Sequence, residues 1–161
     1  MNESELLGVL VEFSIGLGGF SAIATAFIHR NQSMSGADVY RVLNLLMMAL
    51  GPAFIALFTL GLLNVSLPIQ YGNALLFIFA LIGIIQSEVG KRRLAAKQKE
   101  VLISSVIIIM QTIFFINGSF QILSFLNFLH NAFIILYGGL VVILAQAVVQ
   151  FVRLIVARPQ A

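Results

Sequence analysis

The chain has 161 residues, 60% of them hydrophobic and only 9% charged, with nine Lys and Arg against six Asp and Glu. An ordinary soluble domain carries about 25% charged residues to keep its surface in water, so most of this chain's surface must meet lipid. Cysteine is absent, which excludes disulfide frameworks, Cys-ligated zinc, iron–sulfur clusters and thiol catalysis.

Crossing a hydrocarbon core of about 30 Å takes roughly 20 apolar residues at about 1.5 Å each, and five runs meet that requirement. The first covers residues 6–28, after the acidic leader with Glu3 and Glu5 and before His29-Arg30. That leader lacks the positive start of a secretory signal, so the run reads as a retained helix. The second covers 39–64 and carries Gly51-Pro52 near its middle. Proline removes a backbone hydrogen bond and presses on the carbonyl four residues back, here Met48, so Pro52 predicts a kink. The plain reading is a fixed bend; the functional one is a gating hinge.

A short stretch at 65–68 leads into the third run, 69–87, which a basic segment separates from the fourth at 101–123. Asn117-Gly118 inside the fourth is a turn signal. Stopping there would leave a short span, so the run is read through to Leu123. The fifth covers 130–155. The sequence therefore predicts an all-α, polytopic membrane helical bundle of five transmembrane helices in one integral membrane domain over 1–161.

Charge sets the expected direction. Five alternating spans put all nine basic residues on one side: Arg30 and Arg41, then Lys91, Arg92, Arg93, Lys97 and Lys99, then Arg153 and Arg158. Lys and Arg near span ends stay cytoplasmic, which predicts N-out and C-in. The net charge of +3 is then membrane anchoring. The basic segment has no interleaved aromatics, so nucleic acid is not an expected partner. Compact size and minimal loops point to a bacterial inner membrane, with the lipid bilayer as the surrounding partner.

Helices in lipid are held by close packing and interhelical hydrogen bonds. In the first span Gly8, Glu12, Gly16, Gly19, Ala22 and Ala26 fall on one side, while Ser14, Gly18, Ser21 and Thr25 fall on roughly the opposite one. Such a face suits helix–helix contact, homo-oligomerisation included; the functional alternative is a backbone-lined passage.

Glu12 is the leading functional candidate. It lies about 9 Å past Leu6 along the helix, with every Lys and Arg assigned to the opposite side. Hydrocarbon penalises a charged carboxylate, so Glu12 there needs a hydrogen-bonding partner or a proton. Thr59, Asn117 and Tyr137 lie at similar depth, Gln111 lies deeper and His130 nearer the surface. A Glu12–Asn117–Tyr137 cluster is one arrangement that alternating helices permit. A second polar layer, of Gln146, Gln150 and Arg153 with Arg41 and Asn44, sits toward the other side; interfacial anchoring is its plain reading.

Other chemistry finds little support. His29 and His130 fall on opposite faces and cannot share a metal within one protomer, Asp38 is the sole aspartate, and neither H-E-x-x-H nor a phosphate-binding glycine loop occurs. Ser119 and His130 share a face, yet no nucleophile elbow surrounds Ser119. No metal or cofactor is expected.

Glu12-Phe13, the run Gly18-Gly19-Phe20-Ser21-Ala22-Ile23 and the placement of Arg30 and Arg41 resemble small, uncharacterised bacterial multi-span membrane proteins over the first two spans. That resemblance implies no activity. Small fluoride channels share the compact size and phenylalanine richness, but differ in span number and show no matching motif. The leading expectation is permeation or transport of a small solute or ion with Glu12 as its protonatable or cation-attracting group. A non-transporting assembly subunit is the alternative, and a membrane enzyme the third.

Overall fold

The computed structural model describes residues 2–28, 36–96 and 104–156; Arg30, Lys97, Lys99 and Arg158 of the charge pattern lie outside them, as does His29. The chain forms five helices: α1 (Glu3–Ile28), α2 (Gly36–Asn64), α3 (Gln70–Ala96), α4 (Ser104–Phe125) and α5 (Ala132–Val156). Each is long and apolar enough to cross a membrane, as expected of a multi-pass membrane protein. No strand occurs among the described residues.

Local chemistry sets the helix ends. Asn2 and Glu5 form a reciprocal cap on α1: the Asn2 amide donates to Glu5 Oε2 at 3.0 Å and the Glu5 amide to Asn2 Oδ1 at 2.8 Å, the arrangement that satisfies orphan donors at a helix start. Helix α2 ends on Ser66 at φ 56 and α4 on Asn127 at φ 62. Beyond each, an amide turns back five residues, Leu67 N to Leu62 O at 2.9 Å and Phe128 N to Leu123 O at 2.9 Å. Both are the left-handed closure that fills the last free carbonyls of a helix.

Two element boundaries inform the sequence reading. Helix α4 passes through Asn117-Gly118 without a break and ends at Phe125, as the span-length argument predicts. Helix α3 does not stop near residue 87 but runs on to Ala96 through Lys91, Arg92 and Arg93. Lys, Arg, Leu and Ala are all strong helix formers, and beyond the apolar zone a helix needs no hydrophobic run to continue.

Helices α2 and α5 occupy the middle of the bundle. Helix α1 packs on α2 and more lightly on α5, α3 packs on α4 and α2, and α4 closes against α5; α1 and α4 do not meet. Leu45, Met48, Ala49, Ile55, Leu76, Phe114, Leu136, Leu140 and Ile143 are among the core side chains. Helix α2 carries Pro52 inside it, fully buried. Ser14 of α1 donates its hydroxyl to the Ala49 carbonyl, one residue on from the Met48 carbonyl that Pro52 leaves without its ordinary donor. Gly51 makes room for the Phe79 ring of α3, which a Cβ there would strike.

Candidate functional site

Three side-chain amides tie α5 to its neighbours from inside the bundle, one of them also joined to the Ser124 hydroxyl of α4. Asn73 of α3 donates to Ser124 Oγ at 2.7 Å and to the Ala132 carbonyl at 3.3 Å. Gln121 of α4 donates to the Ile135 carbonyl at 2.9 Å and to Asn117 Oδ1 at 3.1 Å, and Asn117 donates to the Gly139 carbonyl at 3.2 Å. The three carbonyls share one face of α5 at helical spacing, so each side-chain amide reads successive turns of one stripe. Such approach needs a bare backbone: a Cβ on Gly139 would strike Gln121 Nε2 and lie 2.6 Å from Asn117 Oδ1. All four side chains are buried. Because the backbone carbonyls claim the NH2 groups, the oxygens face elsewhere, and Asn73 Oδ1 and Gln121 Oε1 are left without a partner.

Beside this clamp, a groove of about 380 Å³ runs along the outside of the bundle between α4 and α5. Ile116, Phe120, Ile134 and Val142 form its apolar walls, and Gly138-Gly139, Asn117 and Gln121 its polar floor.

Glu12 stands apart from the clamp. The outer face of α1 exposes Glu12, Gly16, Gly19, Ala22 and Ala26, while Leu7, Leu10, Ser14, Gly18, Ser21 and Thr25 face inward. Among the described residues nothing hydrogen-bonds or pairs with the Glu12 carboxyl. The glycines divide in the same way. Gly18 has Leu50 within 2.7 Å of where a Cβ would sit, whereas a Cβ on Gly8, Gly16 or Gly19 would meet nothing within 4 Å. Among the described residues, the glycines of the outer stripe therefore leave open space where a side chain would sit.

No family model, curated protein or solved structure matches the chain.

The remaining predicted residues fall into separate groups. Thr59 is fully buried, but its hydroxyl bonds the Ile55 carbonyl of its own helix at 2.8 Å. Tyr137 stacks on Phe133 with ring centroids 6.0 Å apart. Gln111 joins α4 to α3, donating to Ser87 Oγ at 3.2 Å and Glu88 Oε1 at 2.8 Å. Since α1 and α4 do not meet, the Glu12–Asn117–Tyr137 cluster does not assemble within one protomer. At the other end, Arg41 and Arg153 lie close together, Gln150 donates to the Met110 sulfur, and Asn44 is half-buried. Gln146 is buried with both amide ends unpartnered. Ser119 donates to the Phe115 carbonyl of its own helix at 2.9 Å and His130 is exposed, so neither is arranged as a nucleophile or its base.

Asn73, Gln121 and Ser124 are missing from the sequence-level candidates. The available signal is spacing: Gln121 follows Asn117 by one helical turn, and Ser124 follows Gln121 by three residues, so all three share a face.

Proposed function

We propose that this chain is a membrane assembly subunit that associates through the outer face of α1, first of all with further copies of itself. The observation that carries this reading is the position of Glu12: a carboxyl on the exposed side of a membrane helix, set among glycines where a Cβ would meet nothing within 4 Å. Hydrocarbon is a poor solvent for such a group, and bare backbone is what lets a second helix come close. Association relieves the first and uses the second.

Permeation or transport built on Glu12 requires a passage between protomers, because Glu12 points away from the core of its own bundle. A membrane enzyme draws least support, given how Ser119 and His130 are engaged. The N-out, C-in orientation and a bacterial inner membrane complete the proposal, resting on the basic residues gathered at one end and Glu3 and Glu5 at the other.

Two differently tagged copies co-expressed in one membrane should co-purify through either tag after mild solubilisation, and a chain that always purifies singly would contradict the assembly reading. Reconstituted vesicles distinguish the transport reading, which requires proton or ion flux that Glu12→Gln abolishes. For orientation, cysteines introduced at Ser4 and at Lys97 should label with an impermeant reagent from opposite sides, Ser4 from the outside; the reverse pattern contradicts N-out.

A further inference from the structure

The assembly reading leaves open what receives the α1 face, and the groove between α4 and α5 offers a complementary surface. Two amides line it: Gln121, fully buried, whose Oε1 has no partner, and Asn117, whose Oδ1 takes one hydrogen bond and keeps a second lone pair. Both oxygens are acceptors. The amide orientations are fixed, since the nitrogens sit against the Ile135 and Gly139 carbonyls. The groove thus calls for a hydrogen-bond donor on an otherwise apolar body, and it has a glycine of its own, Gly138, where a Cβ would meet nothing within 4 Å.

Depth selects the donor. Copies in one bilayer share its plane, so levels in one apply to the next. Glu3 lines a cavity together with Gln70, Asn131 and Ala132, and Gln70 donates to Asn127 Oδ1 just past α4 at 3.2 Å, which puts the starts of α1, α3 and α5 near the level of the end of α4. Counting from there, Glu12 is nine residues into α1, about 13 Å at 1.5 Å per residue. Asn117 is eight residues from the end of α4, about 12 Å, and Gly139 seven residues into α5, about 10 Å. Gln121 lies about 6 Å deep, only four residues from the end of α4. Side-chain direction narrows that difference. Helix side chains lean toward their own N-terminus, so Glu12 on α1 leans up toward the shared end, while Gln121 on the antiparallel α4 leans away from that end, down toward the level of Glu12.

We propose that the outer face of α1 from a second copy lies in the α4–α5 groove, and that Glu12, as the neutral acid, donates its carboxyl hydrogen to the Gln121–Asn117 amide pair. Glycines of both surfaces then meet: Gly8, five residues into α1 and about 7 Å deep, lies at the level of Gly138, six residues into α5 and about 9 Å deep. In the single copy Gln121 Oε1 is sealed from solvent, so the groove walls part as the carboxyl enters. A face on one side of the protomer meeting a groove on another is a head-to-tail contact, which closes into a ring or continues as a chain rather than stopping at a two-fold dimer.

This inference rests on the assembly reading, and cross-linking separates the two. The chain has no native cysteine, so Gly8→Cys and Gly138→Cys can be made as separate single variants, both at positions where a Cβ would meet nothing within 4 Å. Mixed in phosphatidylcholine–phosphatidylglycerol vesicles and oxidised, the two should form a disulfide dimer that neither forms alone. Dimers from Gly8→Cys alone would mean that α1 faces meet each other, which overturns the groove while preserving assembly. No dimer in the mixture, although the copies still co-purify, overturns the groove as well, leaving it to lipid. Loss of co-purification itself sinks the assembly reading. In the same mixture Glu12→Leu should slow dimer formation at least tenfold, whereas Glu12→Gln, which keeps a donor, should change it by less than about threefold. An equal loss in both would overturn the hydrogen bond.

Discussion

Gly139→Leu is expected to unseat α5 from α3 and α4 and to cost about 3 kcal/mol or more in stability. The first added carbon already collides with Gln121 Nε2, and it would lie 2.6 Å from Asn117 Oδ1 and 2.9 Å from Leu76 Cδ2. These atoms belong to two helices, and all three side chains are buried, so no single rotamer change relieves the clash. Pushing Asn117 and Gln121 aside also breaks the hydrogen bonds to the Gly139 and Ile135 carbonyls, and a buried polar group left unmatched costs about 1–3 kcal/mol. Gly138→Ala is the matched control, since a Cβ there meets nothing in the protomer. Thermal unfolding in detergent should show a clear fall in midpoint for Gly139→Leu and little change for Gly138→Ala. Equal effects would mean that the amide clamp does not hold α5.

The second large effect separates assembly from folding. Gly16→Leu combined with Gly19→Leu places two bulky side chains on the outer face of α1, where the protomer has open space. Fold stability should stay within about 0.5 kcal/mol, the ordinary range for surface changes. Association should fall at least tenfold, which corresponds to about 1.4 kcal/mol, because leucine holds the partner backbone away from the stripe. The readout is energy transfer between labelled copies in vesicles, alongside thermal unfolding of each variant. Unfolding together with dissociation would place these glycines in the fold instead.

How much of this was legible beforehand differs from element to element. The five spans were, because a lipid-facing helix must be apolar over its whole length. The continuation of α3 to Ala96 was not, since hydropathy stops registering a helix where it leaves the apolar zone, and Lys91, Arg92 and Arg93 read as a loop. Asn117 was a candidate on depth alone. Its partner Gln121, and Asn73, were not legible because their role depends on the carbonyls of α5, and which face of α4 meets α5 is a tertiary fact. Glu12 illustrates the same limit. The sequence places it with Gly8, Gly16 and Gly19, but in lipid both faces of a helix are apolar, so periodicity does not say which one is inside. The structure turns that face outward, and a residue that looked like part of an internal path becomes part of a surface.

Counting photobleaching steps of single labelled particles in vesicles, at a protein density too low for chance encounters, tests the central claim most directly. The account predicts multi-step particles for the natural chain and single-step particles once Gly16 and Gly19 are both leucine. Single-step particles for the natural chain would contradict it.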